Sequence, residues 1–213
     1  MRRTSTAIAA LLLLGACQSE PSDTLPPPVA EMPPAPAIQD RAEIVAAESA
    51  RLNQFFEDKF QATLSRNPMY QTYLGVKTDY DKWNDVSDEN AVREMEIQRA
   101  DMEEMKTLFD YDLLDDQAKL SWRLAEYELA QAEAAFPFRH HSYTFDQMRG
   151  VQSSIPAFLV NQHGVTSLSD AEAYVSRLEG ISAYLDQHIE NAEYSASLGI
   201  KPPAFAYAYV LND

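Results

Sequence analysis

Residues 136–203 read FPFRHHSYTFDQMRGVQSSIPAFLVNQHGVTSLSDAEAYVSRLEGISAYLDQHIENAEYSASLGIKPP. A proline-broken loop comes first, then a short apolar turn, then one long amphipathic helix. In that helix Tyr174, Val175, Leu178, Ile181, Leu185, Ile189 and Ala192 recur at three and four, which marks them as its buried face. Ser169-Asp170-Ala171-Glu172 has the spacing of a capping box at its start. Gly199 fits its stop, with Pro202 and Pro203 beyond.

Working back toward the N-terminus, residues 39–67 read as a first helix. Leu52, Phe55, Phe56, Phe60 and Leu64 make one apolar stripe, and Asn67-Pro68 ends it because proline disfavours a helical residue before it. Residues 69–86 lack helical periodicity and read as an ordered loop. Asp79, Asp81 and Asp85 in this loop do not make a calcium loop. Position five would be Trp83, position six Asn84 instead of glycine, and position twelve Asn90 instead of glutamate. Turn and capping roles suit these aspartates better. Ser87 or Asp88 caps a second helix running to about residue 109, with Val92, Met95, Met102, Met105 and Phe109 on one face. Asp115-Asp116 opens a third, which Phe136-Pro137 ends. Its two stripes are Leu120, Leu124, Tyr127, Ala134 and Trp122, Ala125, Leu129, Ala132, Phe136. So wide an apolar surface predicts a central place in a bundle. No strand alternation persists for six residues. The expected fold is all-α, a bundle of about four main helices with long ordered loops.

The order of these features carries a resemblance. An aromatic-Asp146-Gln147 step is followed by Gly150-Val151-Gln152-Ser153, Pro156-x-Phe158-Leu159 and His163. Asp170-Ala171-Glu172-x-Tyr174-x-x-Arg177-Leu178 and Gly199-Ile200-x-Pro202-Pro203 come next. Earlier, Asn67-Pro68, Leu74-Gly75, Tyr80-Asp81, Asp85 and Ser87 fit the same pattern. Over about residues 50–213 the chain resembles the front half of the bacterial Domain of Unknown Function 885 family. The resemblance implies a largely helical protein, of a kind often exported or lipid-anchored, and part of a larger helical metallopeptidase-like fold. The family's zinc-peptidase-like His-Glu-x-x-His motif lies in its back half and does not occur here. The expectation is therefore an N-terminal, truncated portion without catalytic residues. Zinc and peptide substrate would belong to a full-length form, and exposed apolar faces would meet the missing C-terminal half.

The chain has 213 residues, enough for one domain, and 46% of them are apolar. Its formal charge is −16. Such a surface repels phosphate backbones, so nucleic acid is not an expected partner. Cys17 is the one cysteine, which excludes an internal disulfide. Arg2 and Arg3 precede the apolar run AIAALLLL at residues 7–14. That run is far short of the roughly 20 apolar residues a bilayer span needs, so residues 1–16 read as a signal peptide. Leu14-Gly15-Ala16-Cys17 then looks like a bacterial lipobox, whose cysteine thiolate takes up a diacylglyceryl group. Loss of residues 1–16 removes Arg2 and Arg3 and leaves −18. Two or more acyl chains hold a protein to a bilayer stably. By resemblance to lipoprotein sorting signals, Gln18 instead of Asp after the cysteine implies the outer membrane, facing the periplasm. Residues 18–38 hold seven of the twelve prolines. At about 3.1 Å per residue in extended form they make a tether of up to roughly 65 Å. The expected organisation is signal peptide 1–16, lipidated Pro-rich tether 17–38 and helical domain 39–213.

No cofactor or metal site is expected within this chain. His140 and His141 are neighbours whose rings diverge on a helix. His163 precedes Gly164 in a loop, and His188 with Glu190 lies on different helix faces. Ser153-Ser154 lacks the Gly-x-Ser-x-Gly turn. The strongest remaining constellation is Tyr143, Gln147, Gln152 and Phe158, an aromatic and amide-rich stretch between helices. These are the candidate cleft-lining residues, the glutamines being suited to hold a peptide backbone. The alternative is that they tie the loop to its neighbouring helices.

Overall fold

Starting at a proline, the first helix α1 spans Pro36–Ser65. The computed structural model describes residues 36–212, with side chains from residue 41 onward. The expected signal peptide, Cys17 and most of the expected tether lie outside the described residues. The start of α1 falls inside the expected tether, since proline is favoured in a first helical turn. Six more helices follow: α2 Pro68–Tyr73, α3 Asp88–Leu108, α4 Asp116–Ala135, α5 Val151–Asn161, α6 Leu168–Ser197 and α7 Ala204–Val210. Among the described residues there is no strand. The all-α expectation holds. Four of the helices are long, and α2, α5 and α7 are short.

α1, α3 and α4 share one core. Leu52 of α1 is fully buried among Met102 and Met105 of α3, Phe109, Leu114, and Ala118 and Trp122 of α4. Each such large side chain contributes about 1.5–3 kcal/mol when buried. Phe55 meets Phe109 edge-on at 5.5 Å. Polar contacts set the register. Lys59 Nζ lies 2.6 Å from both Asp101 and Glu104, and Arg66 forks onto Glu94 at 2.7 and 2.9 Å. Asp115 N donates to the buried Ser49 hydroxyl at 2.9 Å, which pins the start of α4 to α1.

Four expectations need correction. First, residues 69–86 are not wholly loop. Pro68 occupies the first turn of α2, a helix too short to show periodicity. Second, the short apolar turn after Gly150 is the helix α5, in which Ile155, Phe158 and Leu159 are buried at helical spacing despite Pro156. Third, α4 is not central. Its Trp122 stripe packs, but Leu120, Leu124 and Tyr127 are exposed.

The fourth concerns α6. Its N-cap is Ser167, whose hydroxyl accepts from Asp170 N, so the capping box at Ser169 is not the one used. Of its expected buried face, Val175, Leu178 and Ile189 are exposed. The buried positions are instead Asp170, Arg177, Tyr184 and Ser195. Seven residues are close to two turns, so Asp170, Arg177 and Tyr184 form one stripe. That stripe faces the body, while the apolar stripe faces α5. Gly199, with φ +82°, ends the helix as expected. The short helix α7 starts directly after the prolines.

Candidate functional site

Arg177 is 0% exposed and makes no ion pair among the described residues. Its guanidinium is instead held by neutral groups. Nε donates to the Lys82 carbonyl at 3.1 Å, Nη2 to Thr72 Oγ1 at 2.8 Å and to the Pro68 carbonyl at 3.5 Å. Nη1 lies 3.0 Å from His163 Nδ1. The other His163 nitrogen, Nε2, is 3.0 Å from the Asp170 carbonyl. A carbonyl only accepts, so Nε2 carries the proton and Nδ1 accepts from Arg177. Burial, chiefly, lowers the pKa of His163, in keeping with a neutral ring. Burial also lowers that of Arg177. The rings of Phe158, Tyr80 and Trp83 stand 4.9, 5.3 and 5.8 Å from the guanidinium carbon, a cation–π cage that offsets part of the desolvation.

The surrounding loop is tied to the same knot. Trp83 Nε1 donates to the Arg177 carbonyl at 2.9 Å, and its indole stacks on Tyr184 at 4.7 Å. A Cβ on Gly180 would stand 3.1 Å from Trp83 Cδ1, so the glycine lets the indole lie against α6. Burial pushes the Tyr184 phenol up to about 12. Lys77 Nζ binds both oxygens of Asp170, at 2.8 and 2.9 Å, and Thr166 donates to the same carboxylate. These contacts hold Asp170 well below the usual carboxylate range, Lys77 first. The knot joins α2, the 77–86 loop, the 163–166 loop and α6. Its groups are mutually satisfied, which suits a structural hub.

A second polar cluster opens to solvent farther along α6. Arg139 forks onto Asp88, the first residue of α3, at 2.7 and 3.1 Å. His140 Nε2 lies 3.0 Å from Asp88 Oδ1, but out of hydrogen-bond alignment, and the atom is buried. Arg139 chiefly keeps the Asp88 pKa below its ordinary value. His188, on α6, packs edge-on against Tyr184 at 4.7 Å. Its Nε2 is buried without a hydrogen-bond partner, and burial lowers its pKa. Gln187 and Asn191 fasten α6 to the backbone of Val86 at 3.0 and 2.7 Å. Between these groups lies a cleft of about 310 Å³, also bordered by Tyr143, Thr144 and Arg149.

The four predicted cleft residues do not converge. Tyr143 is exposed and borders the polar cleft. Gln147 is exposed on the neighbouring loop. Gln152 donates to the Asp146 carbonyl at 2.7 Å and borders a different, apolar groove between α5 and α6. Phe158 is buried beneath Arg177 and meets Tyr73 at 5.6 Å. His141 is exposed, and Cys17 lies outside the described residues. Among the described residues no three His, Cys, Asp or Glu side chains come together in a way that could hold a metal ion. Sequence reasoning gave no role to Arg177, Arg139 or Asp88. For Arg177 there was a signal, a lone cation placed two turns from Asp170 and two from Tyr184.

Residues 68–213 match the family described as "Bacterial protein of unknown function (DUF885)". No curated protein and no solved structure matches the chain.

Proposed function

From the premise that the chain belongs to the DUF885 family, we propose that it is a lipid-anchored protein of the bacterial envelope. It faces the periplasm from the outer membrane. Its helical domain forms a non-catalytic wall of a peptide cleft in a zinc-dependent, peptidase-like hydrolase. The observation that carries the anchoring is Leu14-Gly15-Ala16-Cys17 directly behind an apolar run and ahead of a proline-rich stretch. Support for the recognition role comes from the cleft beside Tyr143, with its hydroxyls, imidazoles and guanidinium groups. The described residues do not fit a zinc site, because no three candidate ligands converge. No reaction step follows from them.

Cell fractionation of the protein and its Cys17→Ser variant tests the anchor. The wild type should partition with membranes and carry the mass of its acyl chains. The variant should move to the soluble fraction. A wild type recovered soluble and unacylated would sink the anchor.

The bare stripe of Leu120, Leu124 and Tyr127 favours a second reading, a helical envelope lipoprotein with a binding or scaffolding role and no part in hydrolysis. Peptide titration separates the two, since a scaffold of this kind has no use for a short peptide.

A further inference from the structure

We infer that the cleft between residues 139–144 and α6 binds the C-terminal carboxylate of a peptide whose last side chain is apolar. This rests on the peptide reading above and gives that cleft its ligand class.

Three observations converge. The first is charge. The chain carries 33 acidic and 17 basic residues, yet the cleft is bordered by Arg139, Arg149, His140 and His188 with Asp88 as its one acid. Asp88 is already forked by Arg139. Arg149 is exposed, and its guanidinium makes no ion pair or hydrogen bond among the described residues. Asp146 feels Arg149 through space, but no hydrogen bond joins the two side chains. A cation only loosely compensated, in a strongly acidic molecule, attracts a singly charged anion and repels a cationic one. A guanidinium also matches a carboxylate geometrically, through two parallel hydrogen bonds.

The second is the orphaned imidazole. His188 Nε2 is buried with no hydrogen-bond partner. A buried polar atom left unmet costs free energy, and in native proteins such atoms mark an ion, water or ligand position. His188 borders the cleft but its Nε2 is closed off, so a carboxylate oxygen reaches it only after a small side-chain shift at the cleft wall; the ring, its pKa lowered by burial, then donates from Nε2. Ser142, Thr144 and Asn191 border the same space and suit the last peptide unit.

The third is the neighbouring space. Ser142, Tyr143 and Thr144 form a ridge, and beyond it lies an apolar cleft of about 270 Å³. Phe145, Ile200, Tyr207 and Val210 line it. Polar and apolar compartments on two sides of Tyr143 match the two ends of one terminal residue. The polar side takes the carboxylate, and the apolar side takes the side chain.

The experiment is calorimetric titration of the full-length protein in detergent with Ala-Ala-Phe, with the same tripeptide as its C-terminal amide, and with decanoate. The free acid should bind about tenfold or more tightly than the amide. Arg149→Gln, at an exposed position that leaves the fold intact, should abolish that preference while sparing the amide's affinity. Equal binding of acid and amide overturns the carboxylate assignment alone. So does a preference that survives in Arg149→Gln. Binding of neither tripeptide overturns the peptide reading as well. Decanoate binding more tightly than the free acid reassigns the cleft to fatty acids and overturns the inference.

Discussion

Four neutral acceptors and three aromatic faces surround the guanidinium of Arg177, and no carboxylate of the described residues touches it. Removing the side chain strands His163 Nδ1 and the Lys82 carbonyl in a buried place, while the Thr72 hydroxyl keeps its bond to the Pro68 carbonyl at 3.0 Å. Each unmet group costs about 1–3 kcal/mol, less whatever water enters. Arg177→Met should therefore lower stability by about 3 kcal/mol in urea unfolding. Arg177→Lys should recover less than half of that, because an ammonium cannot span the positions of a planar fork. A variant as stable as the parent would show that the knot is incidental. The knot also explains why α2, the 77–86 loop and the 163–166 loop are ordered with so little apolar burial of their own.

At the level of elements, the start of α6 offers a clean comparison. Ser167 accepts from Asp170 N, whereas the Ser169 hydroxyl reaches only that of Ser167. Ser167→Ala should cost about 1 kcal/mol of stability, and Ser169→Ala less than about 0.5 kcal/mol. Thermal unfolding of the two variants reads the difference directly. The sequence was legible for the long helices. Ser87 and Asp115 cap α3 and α4 as their positions suggested, because a cap is a local event. Met102, Met105 and Trp122 fell in the core for the same reason, one clear stripe per helix. α2 and α5 were missed since six and eleven residues hold too few turns for a period to emerge. The buried side of α6 was misread because hydrophobicity points to the apolar stripe. The central residue of the polar one, Arg177, is buried by partners 14 to 109 residues away in the chain. The cleft was half legible. Tyr143 announced itself as an aromatic in a loop, but Asp88 and Arg139 meet across 51 residues, beyond any local pattern.

The whole molecule couples these contacts to acidity. Asp79, Asp85, Asp88, Asp146 and Asp170 all sit below the ordinary carboxylate value, held respectively by Lys82, Ser87, Arg139, the Arg149 amide and Lys77. In the unfolded chain such groups take up protons near about pH 4, while in the folded one they stay ionised lower. Folding stability from them is thus present above about pH 4 and lost as pH falls further. His163 and His188 act earlier. Their folded pKa values are depressed by burial, so the unfolded chain gains protons first, from about pH 6.5 downward. Urea midpoints should be level from about pH 8 to 7, decline below about 6.5 and drop steeply below about 4. A midpoint unchanged between pH 7 and 5 would mean that the two imidazoles are not held neutral.

The chain's two indoles sit in different neighbourhoods, Trp122 in the core of α1, α3 and α4, and Trp83 flat against Tyr184 beside a guanidinium. Nature has in effect placed one fluorophore in the oily part of the molecule and one in its polar knot. Emission from a protein keeping only one of them would report the melting of that part, so optical spectroscopy can follow the two halves of the architecture as they come apart.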